Sequence, residues 1–176
     1  MKIIRWFDRH IEEALLVLFS SVMVSVIFLQ VIMRLLDNSL SWSEELARYC
    51  FIWMVYIGIS YGVKKQRHIK VDVAFMLLKE KGKIILTIIA NLLFIIFALF
   101  IIRYGYDIAS KLLAFGQQSP ALHIPMGLVY MATPIGIGLT LIRLIQNLIK
   151  YVKALLGKGE IDDRSEAERV IENVRD

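Results

Sequence analysis

The chain has one cysteine, three prolines and three histidines in 176 residues, and its long apolar runs contain no carboxylate. Each shortage excludes something. A lone Cys50 permits neither an internal disulfide nor a multi-cysteine metal site, and its place inside an apolar run suits a buried, inert thiol. Acids inside a membrane mark ion and proton pathways, so their absence from every run argues against a self-contained pump. His10, His68 and His123 all fall in loops or at edges, where they cannot pair across a bundle to hold haem. There is no P-loop, no H-E-x-x-H and no G-x-S-x-G, so no enzyme chemistry is indicated. No cofactor or metal is expected.

Apolar residues are present in excess. They make up 57% of the sequence and mean hydropathy is +0.61, against roughly 45–50% apolar residues in soluble proteins. So short a chain cannot bury that surface in a soluble core. The net charge of +5 lies between the apolar runs rather than on one basic face, which excludes nucleic acid as the partner and points to phospholipid. Ala14–Met33 is free of formal charge and long enough for a hydrocarbon core of about 30 Å. It is also too long for a cleaved signal, and Arg34-Leu35-Leu36-Asp37 is no small-residue cleavage site. The expectation is an all-α integral membrane protein with four transmembrane helices, at about 14–35, 46–63, 84–102 and 126–146. Residues 1–156 form the membrane domain and 157–176 a charged tail.

Lysine and arginine set the orientation. Seventeen lie on the side of the termini and the Lys64–Lys83 loop, against four on the other. The positive-inside rule makes both termini cytoplasmic. Short interfacial amphipathic helices are expected at Met1–Glu13 and Val73–Lys79, the first either lying in the headgroup layer or simply starting the first span. Glu160–Asp176 reads as a short surface helix or a disordered tail.

The polar residues that remain sit where spans meet water. Glu44 and Glu45 precede Arg48 by one helical turn, so the three share a face on which a carboxylate can offset the cost of the arginine. With Trp42 they form either a clamp closed on itself or a docking point for a partner. Gln30 is placed to hydrogen-bond between helices or at the interface. Asp72 is placed to cap the interfacial helix, and His68 reads as a structural hydrogen bonder. On the opposite side, Asp107 and Lys111 form an i,i+4 pair and Gly116 can end their helix. Pro120 and Pro125 should keep Gln117–Pro125 extended, and Pro134 should kink the last span. Arg103, Lys111, Gln117 and Gln118 are the candidates for the outer face.

These residues resemble a known family. Trp42-Ser43-Glu44-Glu45-Leu46-Ala47-Arg48-Tyr49, Gly58, His68-Ile69-Lys70-Val71-Asp72, Ser119-Pro120-Ala121-Leu122-x-Ile124-Pro125, Tyr130 and Pro134-Ile135-Gly136 stand in the order found in the small, DctQ-like membrane subunit of tripartite ATP-independent periplasmic (TRAP) transporters. The resemblance covers about Gln30–Leu148. It implies a bacterial inner-membrane protein paired with a large TRAP permease subunit. It implies also a periplasmic substrate-binding protein that delivers an organic acid, with uptake driven by sodium. In such complexes the large subunit carries the transport sites and the small one is a scaffold. Two rivals remain at this level: a self-sufficient homo-oligomeric transporter or channel, and a membrane anchor for a cytoplasmic partner.

Overall fold

The computed structural model describes residues 2–65 and 80–155, and of residues 2–9, 80, 81, 83 and 154 only the backbone. His68, Asp72, the Val73–Lys79 segment and the Glu160–Asp176 tail fall outside it. Among the described residues five helices follow in order: α1 (Lys2–Leu35), α2 (Ser41–Lys64), α3 (Glu80–Ala114), α4 (Met126–Tyr130) and α5 (Ala132–Leu155). Four segments are long and apolar enough to cross a membrane: His10–Leu35, Ser41–Lys64, Ile84–Ala114 and Met126–Lys153. Among the described residues there is no strand, only an isolated bridge between Gln118 and Pro125.

The helices outrun the apolar stretches that predict them. α1 is one unbroken helix of 34 residues, so the Met1–Glu13 segment is the start of the first span rather than a helix apart from it. α3 has 35 residues, about 52 Å at 1.5 Å per residue. Both end in the same way. At Gly116 (φ +64°) the chain turns left-handed, with Gly116 N–H donating to the Leu113 carbonyl and Gln117 N–H to that of Leu112. That is a Schellman cap, and it consumes carbonyls the helix would otherwise leave open. Asp37 (φ 55°) repeats it at the end of α1, with Asn38 N–H reaching Met33 O at 2.9 Å.

The fourth span breaks where proline dictates. Pro134 has no N–H for the Tyr130 carbonyl, and the helix is interrupted at Met131, between α4 and α5. Backbone bonds from Met131 N–H to Gly127 O and from Ile135 N–H to Met131 O carry the chain across. The loop before it is not extended. It closes on itself, with Ser119 N–H on Ile124 O (2.9 Å), Met126 N–H on Gln117 O (2.8 Å) and His123 left-handed at φ 52°. The prolines restrict their own φ and their predecessors, but leave His123 free to make the turn.

The long helices stand in a row, α1–α2–α5–α3. α2 packs on α1 and on α5, while α5 also packs on α3; α1 and α3 make no substantial contact with each other. The core therefore belongs to α2 and α5, with Ile57, Val63, Ile137 and Leu144 nearly or fully buried. α1 and α3 turn broad apolar faces outward, as lipid-facing or partner-facing helices do. Small residues let the backbones close up. A Cβ at Gly136 would lie 2.5 Å from Tyr56 Cβ, and one at Gly127 would lie 2.7 Å from the Ala109 carbonyl oxygen.

Candidate functional site

Two polar clusters tie the row together, one at each end of α2. The first is built on Glu12, which is fully buried. Its Oε1 accepts from Arg143 Nε at 2.7 Å and from Ser60 Oγ at 3.0 Å; its Oε2 accepts from Lys64 Nζ at 2.5 Å. One carboxylate thus joins α1, α2 and α5. Arg143 Nη1 donates onward to Gln146 Oε1 at 2.9 Å, and Asn147 Nδ2 donates to the Val63 carbonyl at 3.0 Å. Arg143 and Asn147 are one turn apart on α5, as are Ser60 and Lys64 on α2, so each helix offers a matched polar face. At the edge of the cluster Tyr61 Oη donates to Glu13 Oε1 (3.2 Å), and Lys65 lies 3.8 Å from the same carboxylate.

The second cluster is built on Glu45, also buried. Its Oε2 accepts the backbone N–H groups of Ala121 (2.8 Å) and Leu122 (3.1 Å), while Tyr49 Oη donates to its Oε1. The carboxylate thereby straps the closed loop onto the start of α2. Ser119, buried beneath the loop, accepts the Ile124 N–H on its Oγ. Beside it Gln30 of α1 donates to Glu44 Oε1 at 2.8 Å and accepts from Ser43 Oγ at 2.8 Å. Gln30 is a helix–helix hydrogen bonder, as its position suggests. Along α2 the stretch from Glu45 to Lys64 measures about 28 Å, close to one hydrocarbon thickness.

The residues singled out from sequence divide between these clusters and the surface. Glu45 is engaged with the loop and Glu44 with Gln30, and among the described residues no ion pair joins either to Arg48, which is exposed. The expected Glu–Arg offset on one helix face is therefore replaced. Loop amides fixed in place satisfy Glu45 better than a long, flexible arginine can. Trp42 is half-buried, Pro134 is buried, and Pro120 and Pro125 are exposed at the loop surface. Arg103, Lys111, Gln117 and Gln118 are all exposed. Lys111 pairs with Asp107 at 2.6 Å, the i,i+4 pair that the spacing indicates. The Glu12 cluster escaped sequence reading. In sequence Glu12 sits on the polar side of an amphipathic segment, and Lys64 and Arg143 count only toward the orientation of the chain. The visible hint was the recurrence of polar residues at spacing four on two different spans, Ser60/Lys64 and Arg143/Asn147. Among the described residues no group of acids, histidines or cysteines is placed to hold a metal.

Residues 23–154 match the family described as the DctQ component of tripartite ATP-independent periplasmic transporters. The chain belongs to that family. It is 32% identical over 136 residues to a putative TRAP transporter small permease protein of Haemophilus influenzae, covering 77% of this chain and 81% of the relative. It is 27% identical over 158 residues to the sialic acid TRAP transporter small permease protein SiaQ of Vibrio cholerae, covering 89% and 90%. It is also 30% identical over 158 residues to the isethionate TRAP transporter permease protein DctMQ of Oleidesulfovibrio alaskensis, where 86% of this chain spans only a quarter (25%) of the relative. As a DctQ-type subunit with four apolar helices, the chain is a multi-pass protein of the bacterial inner membrane. The matched region contains the Glu45 strap, both packing glycines and Arg143. It begins beyond Glu12, so the carboxylate at the centre of the first cluster lies outside the span that defines the family.

Proposed function

We propose that this DctQ-type subunit is a brace. It holds the large permease subunit in a fixed position while that subunit moves an organic acid, delivered by a periplasmic binding protein, into the cell on a sodium gradient. The reading is carried by how the polar groups of the spans are used. Glu12, Arg143, Asn147, Gln30 and Glu45 each hold one helix or loop to another. A helix row fastened at both ends suits a static part better than a moving one. Relatives named for isethionate and sialic acid support an organic acid as the cargo of the complex. The relative more than three times as long is consistent with a small and a large part working as one unit.

In this reading both termini face the cytoplasm, and the Glu45 end, with Arg103, Lys111, Gln117, Gln118 and the exposed Pro120 and Pro125, faces the periplasm toward the binding protein. Arg48, exposed and with no ion pair among the described residues, faces the large permease with Trp42. His68 and Asp72 belong to the cytoplasmic loop against phospholipid headgroups. The test is reconstitution in liposomes with a sodium gradient, with this chain, the large permease and the binding protein of the same host combined and then omitted one at a time. Uptake should require this chain and the large permease together. Uptake by this chain alone would replace the brace with a self-sufficient transporter. Full uptake without it, and loss of an unrelated cytoplasmic activity instead, would make it an anchor.

A further inference from the structure

The apolar runs of the four spans are not side by side. Register follows from contacts between neighbours. Phe19 stacks on Trp53, and Leu16 lies against Gly58, which places Val17 level with Tyr56. Tyr56 lies against Gly136 of α5. Gly105 of α3 lies against Thr133 and Pro134, and Ala109 and Leu113 against Gly127, so along this antiparallel pair Gly136 is level with Arg103. Val17, Tyr56, Gly136 and Arg103 therefore stand at one height in the row.

Their places within their own runs differ completely. Val17 is near the Glu12 end of the uncharged run Ala14–Met33, while Arg103 is already past the opposite end of the run Ile84–Ile102. The middle of the α1 run lies about 10 Å to one side of the shared height and the middle of the α3 run about 15 Å to the other, a stagger of about 25 Å. The charges that close the runs are staggered in the same sense. At the Glu45 end the exposed arginines Arg34 (α1), Arg48 (α2) and Arg103 (α3) step progressively toward the Glu12 end. At the other end Glu13, Lys64 and the exposed Lys150 step the same way in the order α1, α2, α5, with buried Arg143 held inward by Glu12, and the α3 run begins farther still, at Ile84. An upright row cannot satisfy both outer helices. Either Arg103, Asp107 and Lys111 enter the hydrocarbon beside the middle of α1, or half of the α1 run stands in water.

We propose that the row crosses the bilayer obliquely, tilted within its own plane by roughly 40°, so that the lipid-contacting surface is a slanted band running from the Ala14–Met33 run of α1 to the Ile84–Ile102 run of α3. A stagger of about 25 Å across three interaxial spacings of about 8–10 Å gives that angle, at the steep end of the roughly 0–40° observed for transmembrane helices. Interfacial arginines then fall along one membrane surface. The α3 segment Arg103–Ala114, with Tyr104, Tyr106 and Ile108 about half exposed, rises out of the hydrocarbon as a ledge beside the strapped loop. This ledge is a water-side surface of mixed aromatic and charged character, next to the fourth span but not within the membrane.

Three exposed positions decide between oblique and upright seating: Val24 on α1, and Ile96 and Ile108 on α3. Each is replaced by cysteine in turn in the full chain carrying Cys50→Ala, spin-labelled, and reconstituted in phosphatidylethanolamine–phosphatidylglycerol vesicles. Collision rates with oxygen and with a water-soluble nickel chelate report the surroundings of each label. Val24 and Ile96, about 21 Å apart in height along the row, should both favour oxygen, and Ile108 should favour the chelate. An upright row fitted to α1 predicts the reverse at Ile96 and Ile108; one fitted to α3 puts Val24 in water. Either pattern overturns the proposal. Polarised infrared dichroism of the unsubstituted chain gives an independent reading: a mean helix tilt near 40° is expected, and one of about 20° or less would overturn it.

Discussion

Glu12 and Arg143 are 131 positions apart in the chain and meet at 2.7 Å, carboxylate Oε1 against guanidinium Nε, with side chains 0% and 7% exposed. Their contact joins the first span to the last across the face of the second. A buried charge pair is weak as a source of net stability, because desolvation offsets much of the attraction, but breaking it leaves a buried charge without its counter-charge. The pair therefore acts as a registration device: it penalises any arrangement of α1, α2 and α5 other than this one.

Loss of one partner should be worse than loss of both. Glu12→Ala leaves Arg143 and Lys64 facing each other without their shared carboxylate, and is expected to cost about 3–5 kcal/mol. Combining Glu12→Gln with Arg143→Met removes both charges and should recover most of that loss. Thermal unfolding of the detergent-solubilised protein measures each variant. Equal melting temperatures for Glu12→Ala and the unsubstituted chain would show that the cluster holds nothing.

The strap at the opposite end has a local signature. Glu45→Ala removes the acceptor for two loop amides, so exchange at Ala121 and Leu122 should accelerate by an order of magnitude or more. Glu44→Ala, which frees only Gln30, should leave those two amides unchanged. Hydrogen exchange read by mass spectrometry over residues 117–126 distinguishes the two. Matching rates in both variants would mean that the closed backbone of the loop suffices without Glu45.

How much of this was legible beforehand depended on the range of the interaction. The four spans were plain because long uncharged runs, Ala14–Met33 and Ile84–Ile102 above all, have no better place than a bilayer. Local features read equally well: the Asp107–Lys111 pair, the Gly116 terminus and the interruption caused by Pro134 all lie within one helical turn of their cause. What sequence could not supply was the identity of facing helices. The i,i+4 spacing made Arg48 the natural partner of Glu44, and only the folded loop shows that Glu45 instead serves backbone amides 76 and 77 positions away. Glu12 was misjudged for the same reason. Its neighbours in sequence are a mixed polar segment, whereas its neighbours in space are the ends of two other spans.

Glycines in the last span separate packing from flexibility. A Cβ at Gly136 would meet the Tyr56 Cβ at 2.5 Å, its carbonyl carbon at 2.9 Å and its oxygen at 3.0 Å, whereas one at Gly138, two residues on, meets nothing within 4 Å. Gly136→Ala must therefore push α5 off α2 backbone and is expected to destabilise by about 1–3 kcal/mol. Gly138→Ala should be neutral, or slightly stabilising through helix propensity. If both substitutions lower the melting temperature equally, glycine matters here for backbone freedom and not for the close approach of α2 and α5.

Arg48 tests the docking face directly. It is exposed one turn from Glu44 and Glu45, yet both acids are engaged elsewhere, by Gln30 and by the loop. A charge placed among apolar neighbours near the membrane edge is favoured by headgroups or by a protein acceptor. If the acceptor is on the large permease, Arg48→Ala should reduce recovery of the complex roughly tenfold, the effect of losing about 1.4 kcal/mol of binding energy. Lys111→Ala serves as the comparison, because that lysine is already paired with Asp107 and stands on the far helix of the row. Co-purification through a tag on the large permease, at fixed detergent and salt, measures both. Undiminished recovery with Arg48→Ala would assign Arg48 to lipid headgroups and leave the apolar faces of α1 and α3 to carry the contact. A loss confined to Lys111→Ala would move the docking face to α3.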